Sequence, residues 1–181
     1  IAISLFSIKG EINEDMKILV ESIPNLIAKN LINSGFFKLL DREAYMQAPE
    51  ALINRPKFRD WRIIDAQTLI SGTVSKKSEN KVSVSIEMWD VYGERRMLGI
   101  TLASKVRSWR RIAHIFSDKV YERLTGETGY FDTRIVYISE TGDQKNRIKR
   151  LAIMDQDGAN HKFLTDGKSL VLTPRFSPNQ K

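Results

Sequence analysis

Val82, Val84, Ile86 and Met88 alternate with Ser83, Ser85 and Glu87 in the middle of the chain. A strict period of two puts the apolar side chains on one face of a strand and the polar ones on the other. A polar turn at Lys76 to Asn80 precedes this run, and Gly93-Glu94 follows it. Thr68 to Ser75 on one side and Met97 to Val106 on the other read as further strands. Links this short permit only antiparallel neighbours, so the centre of the chain is a three-stranded meander with one face that must be covered.

Two helical patterns can cover it. Ile23, Leu26, Ile27 and Leu31 share a helix face, with Ser22 as the expected cap and Pro24 in the first turn. Met16 to Val20 is an optional earlier turn, and Gly35 after Asn33-Ser34 is the expected left-handed stop. The second helix is expected from Ser108, as N-cap, to Leu124. Its stripe is Ile112, Ile115, Phe116, Val120 and Leu124, and Gly126 ends it. Ile1 to Phe6 and Phe36 to Leu40 read as strands, 42–57 as loop, and Phe58 to Ile64 as a short helix carrying Trp61. Trp61, Leu69, Val84, Ile86, Ile112, Phe116 and Val120 are expected to share one core. The order describes a small α/β domain closing near residue 126.

Beyond Phe131 the texture changes. Arg134 to Ser139, Arg147 to Met154 and Lys162 to Leu164 read as short strands. They are separated by Thr141 to Asn146 and Asp155-Gln156-Asp157-Gly158. Short strands between Gly- and Asp-bearing turns fit one blade of a β-propeller.

The 181 residues are enough for one generous domain, or for a domain plus a fragment. No apolar run approaches the ~20 residues of a membrane span. Without Cys, disulfides, thiolate metal sites and cysteine nucleophiles are excluded. His114 and His161 are the only histidines, which excludes a three-histidine metal centre. The chain opens without Met inside an apolar run that lacks the features of a signal peptide. It stops at Phe176-Ser177-Pro178-Asn179-Gln180-Lys181, a turn signal. Both ends read as processed or trimmed.

Lys and Arg number 29 against 22 Asp and Glu, a formal +7. Such an excess can serve nucleic acid or an anionic membrane surface. The cations are spread along the chain without a dense run, so the reading is a lysine-rich solvated surface with no nucleic-acid partner. Gly167-Lys168-Ser169 resembles the end of a phosphate loop, but residue 162 is Lys where a Gly is required and Pro174 blocks the following helix. Asp155, Asp157 and Gly158 resemble a calcium loop until Asn160 stands where the sharp-turn Gly belongs, leaving a hairpin turn. Trp109, Arg110 and Arg111 mix basic and aromatic groups as single-strand binders do. Helical spacing puts Trp109 near the apolar stripe, with Arg110, Arg111 and His114 on the solvated face. No nucleophile elbow and no acid–base set is present. The expectation is no enzyme, no catalytic residue, no cofactor and no metal.

Several segments resemble the TolB family, periplasmic components of the Tol–Pal envelope system. They are Ile1 to Phe6, Leu31-Ile32-Asn33-Ser34-Gly35-Phe36-Phe37, Leu40-Asp41-Arg42, Asp60-Trp61-Arg62 and Leu69-Ile70-Ser71-Gly72-Thr73-Val74. The most specific runs from Val120-Tyr121-Glu122-Arg123-Leu124-Thr125-Gly126 through Glu127-Thr128-Gly129-Tyr130-Phe131-Asp132-Thr133-Arg134-Ile135. Met154-Asp155-Gln156-Asp157-Gly158 and Phe176-Ser177-Pro178-Asn179 are similar to propeller turns. There, Asn179-Gln180 replaces the family's Asp-Gly, and Phe176 its Trp.

The resemblance implies an α/β (α+β) domain at 1–126, a mixed sheet packed by two helices. A linker at 127–133 and an incomplete propeller blade at 134–181 would follow. Phe131, Asp132, Thr133 and Arg134 become junction candidates, while the partner-binding residues stay unknown. It implies a non-enzymatic periplasmic scaffold with the lipoprotein Pal and TolA as partners, their surfaces lying largely outside this chain. An RNA-binding module, similar to a tRNA anticodon-binding domain, is the alternative that the basic charge keeps open.

Overall fold

The computed structural model describes residues 1–143 and 146–177. The chain divides into two compact units, Ile1–Phe131 and Asp132–Lys181. The division falls inside the segment read as a linker.

In the first unit, β3 (Thr68–Ser78), β4 (Lys81–Asp90) and β5 (Arg95–Lys105) form the expected antiparallel meander. β1 (Ala2–Ile3) and β2 (Ser7–Ile8) both add to the free edge of β3 in parallel, making the sheet mixed. Opening the β4–β5 turn, the Asp90 carboxylate accepts from Gly93 N–H at 2.9 Å, which holds its pKa below the usual carboxylate range.

The opening strand is therefore not continuous. Ile3 pairs with Ile70 and Ser7 with Thr73, so one extra residue bulges out between them. Phe6 leaves the ladder, and its N–H donates to the Val20 carbonyl at 2.9 Å. That carbonyl is free because Pro24, four residues on, has no N–H to donate.

Pro24 does not open a helix; it lies inside α1 (Glu14–Asn33). The cap is Asn13, whose Oδ1 accepts from Met16 N–H at 2.8 Å, and Glu14 and Asp15 suit the positive end of the helix dipole. The buried stripe starts at Met16 and Leu19, which carries the helix two turns earlier than Ser22. Gly35, at φ 77°, follows the helix end as expected.

Residues Phe36 to Leu40 form no strand, though Leu40 N–H donates to the Ile1 carbonyl at 3.0 Å. The 42–57 stretch contains two 3-10 turns, Arg42–Ala44 and Pro49–Leu52, before α2 (Phe58–Ile63). α3 runs Trp109–Thr125 behind a 3-10 turn at Val106–Ser108, and Ser108 makes no side-chain capping bond. Gly126, at φ 80°, closes it.

The seven expected core residues are all buried, but in two clusters. Val84, Ile86, Ile112, Phe116 and Val120 lie with α1 and α3 on one side. Leu69 and Trp61 lie in the other, with Phe58, Ala66, Trp89 and Val91. Neighbours on a strand face opposite ways, so Ile70 enters the first cluster and Leu69 the second. Tyr45 completes the second cluster: its hydroxyl accepts from Ile3 N–H at 3.0 Å and donates to Leu40 O at 3.2 Å. Burial there pushes the Tyr45 phenol pKa up.

The second unit has β6 (Arg134–Thr141), β7 (Ile148–Asp155) and β8 (Lys162–Phe163) in antiparallel order. Part of the turn read at Thr141 to Asn146, and the Pro178 to Lys181 end of the propeller-like segment, lie outside the described residues.

Gly72 faces the Phe6 ring so closely that an added Cβ would sit 2.7 Å from Phe6 Cζ. Overpacking of this kind costs about 1–3 kcal/mol. Gly72→Ala is therefore expected to lower the melting temperature of the first unit by several degrees, read by thermal circular dichroism.

Candidate interaction surfaces and family

Phe131, the first of the junction residues, is positioned by the last half of α3. Asp118 Oδ1 accepts from Phe131 N–H at 2.6 Å. Between them the chain passes close to the helix: a Cβ on Gly129 would lie 2.4 Å from Asp118 Cα. Only glycine permits that approach. Phe131 is 1% exposed and belongs to the first unit's helix-side core. Tyr121 gathers the aromatic residues around it, meeting Phe36, Phe37, Tyr130 and Phe131 edge-on with centroids 5.8–6.1 Å away. Edge-to-face contacts of this sort add about 0.5–1.5 kcal/mol each beyond area burial. Gly35, which ends α1, is what turns Phe36 and Phe37 toward this cluster.

Asp132 begins the second unit. Within it, the Thr133 carbonyl accepts from Gln156 N–H at 3.2 Å, and Arg134 stands opposite Asp155 in the β6–β7 register. The structure thus assigns Phe131 to one unit and Asp132, Thr133 and Arg134 to the other.

The remaining sequence candidates resolve into local structure. Asp155 to Gly158 is a tight turn, with Gly158 N–H bonded to Asp155 O at 2.9 Å. Among the described residues no helix follows Gly167-Lys168-Ser169, and Lys168 N–H donates to Asp166 Oδ1 at 3.0 Å. Trp109 packs against the core, and the Arg110 guanidinium covers its ring at 5.3 Å, which leaves that face unavailable to a base.

His114 corrects the sequence reading: it is 2% exposed, not on a solvated face. Asn30 Nδ2 bonds His114 Nδ1 at 3.0 Å and donates to Ser117 Oγ at 2.9 Å. Ser117 in turn donates to the Ala113 carbonyl at 2.8 Å. α1 packs along α3, so the buried arc of α3 is wide enough to include Ala113, His114, Ser117 and Tyr121 beside the apolar stripe. The signal was present in α1, where Asn30 occupies the next apolar position after Ile23, Leu26 and Ile27. A polar residue there needs a partner from the facing helix.

Gly129→Ala should loosen the junction. The expected result is faster limited proteolysis between 126 and 134, with the first unit's far-ultraviolet spectrum retained and a modest fall in its melting temperature.

Residues 1–97 match the model of the TolB amino-terminal domain, and residues 121–181 match that of the TolB beta propeller domain. The chain is 46% identical over 187 aligned residues to the Tol-Pal system protein TolB of Pelagibacter ubique, covering 100% of this chain and 42% of that protein. It is 48% identical over 159 residues to the Tol-Pal system protein TolB of Paramagnetospirillum magneticum, covering 88% of this chain and 36% of that one. The chain therefore spans about two fifths of the length of these curated relatives. The crystal structure of TolB from Acinetobacter baumannii superposes with a TM-score of 0.78 at 23% identity, over 96% of this chain and 40% of that one, so the fold is shared. The two domain matches, in this order along one chain, and the identity to the two curated relatives place the chain in the TolB family.

Proposed function

We propose that this chain acts as part of a non-enzymatic periplasmic scaffold of the Tol–Pal system, linking inner-membrane Tol proteins to the outer-membrane lipoprotein Pal. In that role it supports envelope integrity and outer-membrane constriction at cell division. The observation that carries this reading is the order of the two family matches across one chain. The function of such a scaffold rests on binding partners in turn, not on bond chemistry. A domain division of 1–126, 127–133 and 134–181 is proposed with it: a first domain, a link and a blade of the propeller, with Pal and TolA as the partners. No helix among the described residues is long and apolar enough to cross a membrane.

The basic charge supports the RNA-binding module as a second reading. Binding to single-stranded RNA that weakens steeply with salt would favour it over the scaffold.

A propeller's partner surface is assembled from several blades. We expect calorimetry to show this chain binding Pal at least about tenfold more weakly than the longer Pelagibacter ubique relative does, a difference of ~1.4 kcal/mol. Equal affinities would overturn the assignment of Pal binding to the propeller.

A further inference from the structure

Lysines far apart in the sequence meet at one end of the first unit's sheet. Lys9 follows β2 and is held there by its N–H bond to the Val74 carbonyl, 2.8 Å. Lys76 and Lys77 lie at the end of β3, and Lys81 opens β4 directly opposite Lys105, the last residue of β5. Arg107 follows two residues later. All six are exposed, and among the described residues none is in an ion pair. The acidic groups beside them are Glu11 and Asp15, which line the same recesses, and Glu79 in the β3–β4 turn. Cations outnumber them by six to three.

One local rule is broken here. Like charges directly across a strand pair, as at Lys81 and Lys105, are destabilising. A departure from local consistency of this kind is expected at functional sites.

The cations surround two shallow recesses. One, of about 470 Å³, is lined by Asp15, Asn80, Lys105, Val106 and Arg107; the other, of about 280 Å³, by Lys9, Gly10, Glu11, Lys76, Lys77 and Ser78. Neither has an aromatic lining, so nothing here stacks nucleic-acid bases. Five of the six cations are Lys, which is depleted from protein–protein interfaces. Ile12, 65% exposed, sits in the loop between Lys9 and α1. Clustered lysines beside an isolated exposed aliphatic side chain suit an anionic lipid surface: the ammonium groups reach headgroup phosphates while the aliphatic group enters the interface.

We infer that this lysine-bearing end of the first unit docks reversibly on an anionic phospholipid bilayer surface. The inference rests on the placement of the lysines and of the exposed Ile12, and is independent of the scaffold reading.

The test is co-sedimentation of the chain with phosphatidylcholine vesicles, with or without about one third phosphatidylglycerol. Binding only to the anionic vesicles is expected, and it should be lost as salt rises from ~0.05 to ~0.3 M. Lys81→Gln with Lys105→Gln should weaken partitioning about tenfold or more. Lys29→Gln with Lys38→Gln, which removes equal charge elsewhere, should change it less than about twofold. The first pair should also raise the melting temperature, by about 1–3 °C, because the cross-strand repulsion is relieved. Should that pair fail to fold, Lys9→Gln, Lys76→Gln and Lys77→Gln together make the same test. The inference falls if the chain ignores anionic vesicles, if both lysine pairs lose binding equally, or if Lys81→Gln with Lys105→Gln lowers the melting temperature. It falls equally if single-stranded RNA or polyglutamate is bound while vesicles are not.

Discussion

The first unit depends on one backbone hydrogen bond, from Phe6 N–H to the Val20 carbonyl. Two local faults create it. The bulge between β1 and β2 removes Phe6 from the ladder, and Pro24 removes the donor that Val20 would have had within α1. Each fault alone leaves a polar backbone group without its regular partner, which costs about 1–3 kcal/mol when buried. Together they satisfy one another and fasten α1 to the sheet edge. The Phe6 ring then occupies the space that Gly72 leaves on β3. Helix placement, strand break and glycine are thus a single packing arrangement.

That arrangement sets which face of the sheet the helices cover. Val74, Val84 and Ile86 receive α1 and α3, while Leu69 and Trp89, pointing the other way, receive the 3-10 turns and α2. The helix-side layer would be apolar throughout but for Asn30, His114 and Ser117 between α1 and α3. A buried polar set hydrogen-bonded across the two helices penalises any sliding of one along the other. The same helix pair ends in the Tyr121 aromatic cluster. The register that aligns Asn30 with Ser117 therefore also aligns Phe36 and Phe37 with Tyr121, where the chain leaves for the second unit.

Much of this was legible in the residues. Period-two alternation gave the faces of β4 without ambiguity, and the four-residue stripe of α3 gave Ile112, Phe116 and Val120. Gly35 and Gly126 marked helix ends because a left-handed residue is required there. The start of α1 was misread because Pro is most often a first-turn residue, and its tolerance at position 24 rests on Phe6, eighteen residues earlier. His114 was misread because helical periodicity locates the centre of a buried arc and not its width. The arc's width is decided by how closely the neighbouring helix lies.

By itself, then, the sequence determined the meander, the two covering helices and the long junction segment that carries the family signature. Those features are written in spacing between near neighbours, where backbone geometry alone fixes which side chains share a face. Only the tertiary structure decided that the apolar residues divide into two clusters and that Asn30 meets His114. It also decided that Lys9, Lys76, Lys77, Lys81 and Lys105 stand together. Along the chain these lysines form no dense run, because each belongs to a different strand end or turn. Strand pairing stacks those ends side by side, and a charge that is diffuse in sequence becomes local in space.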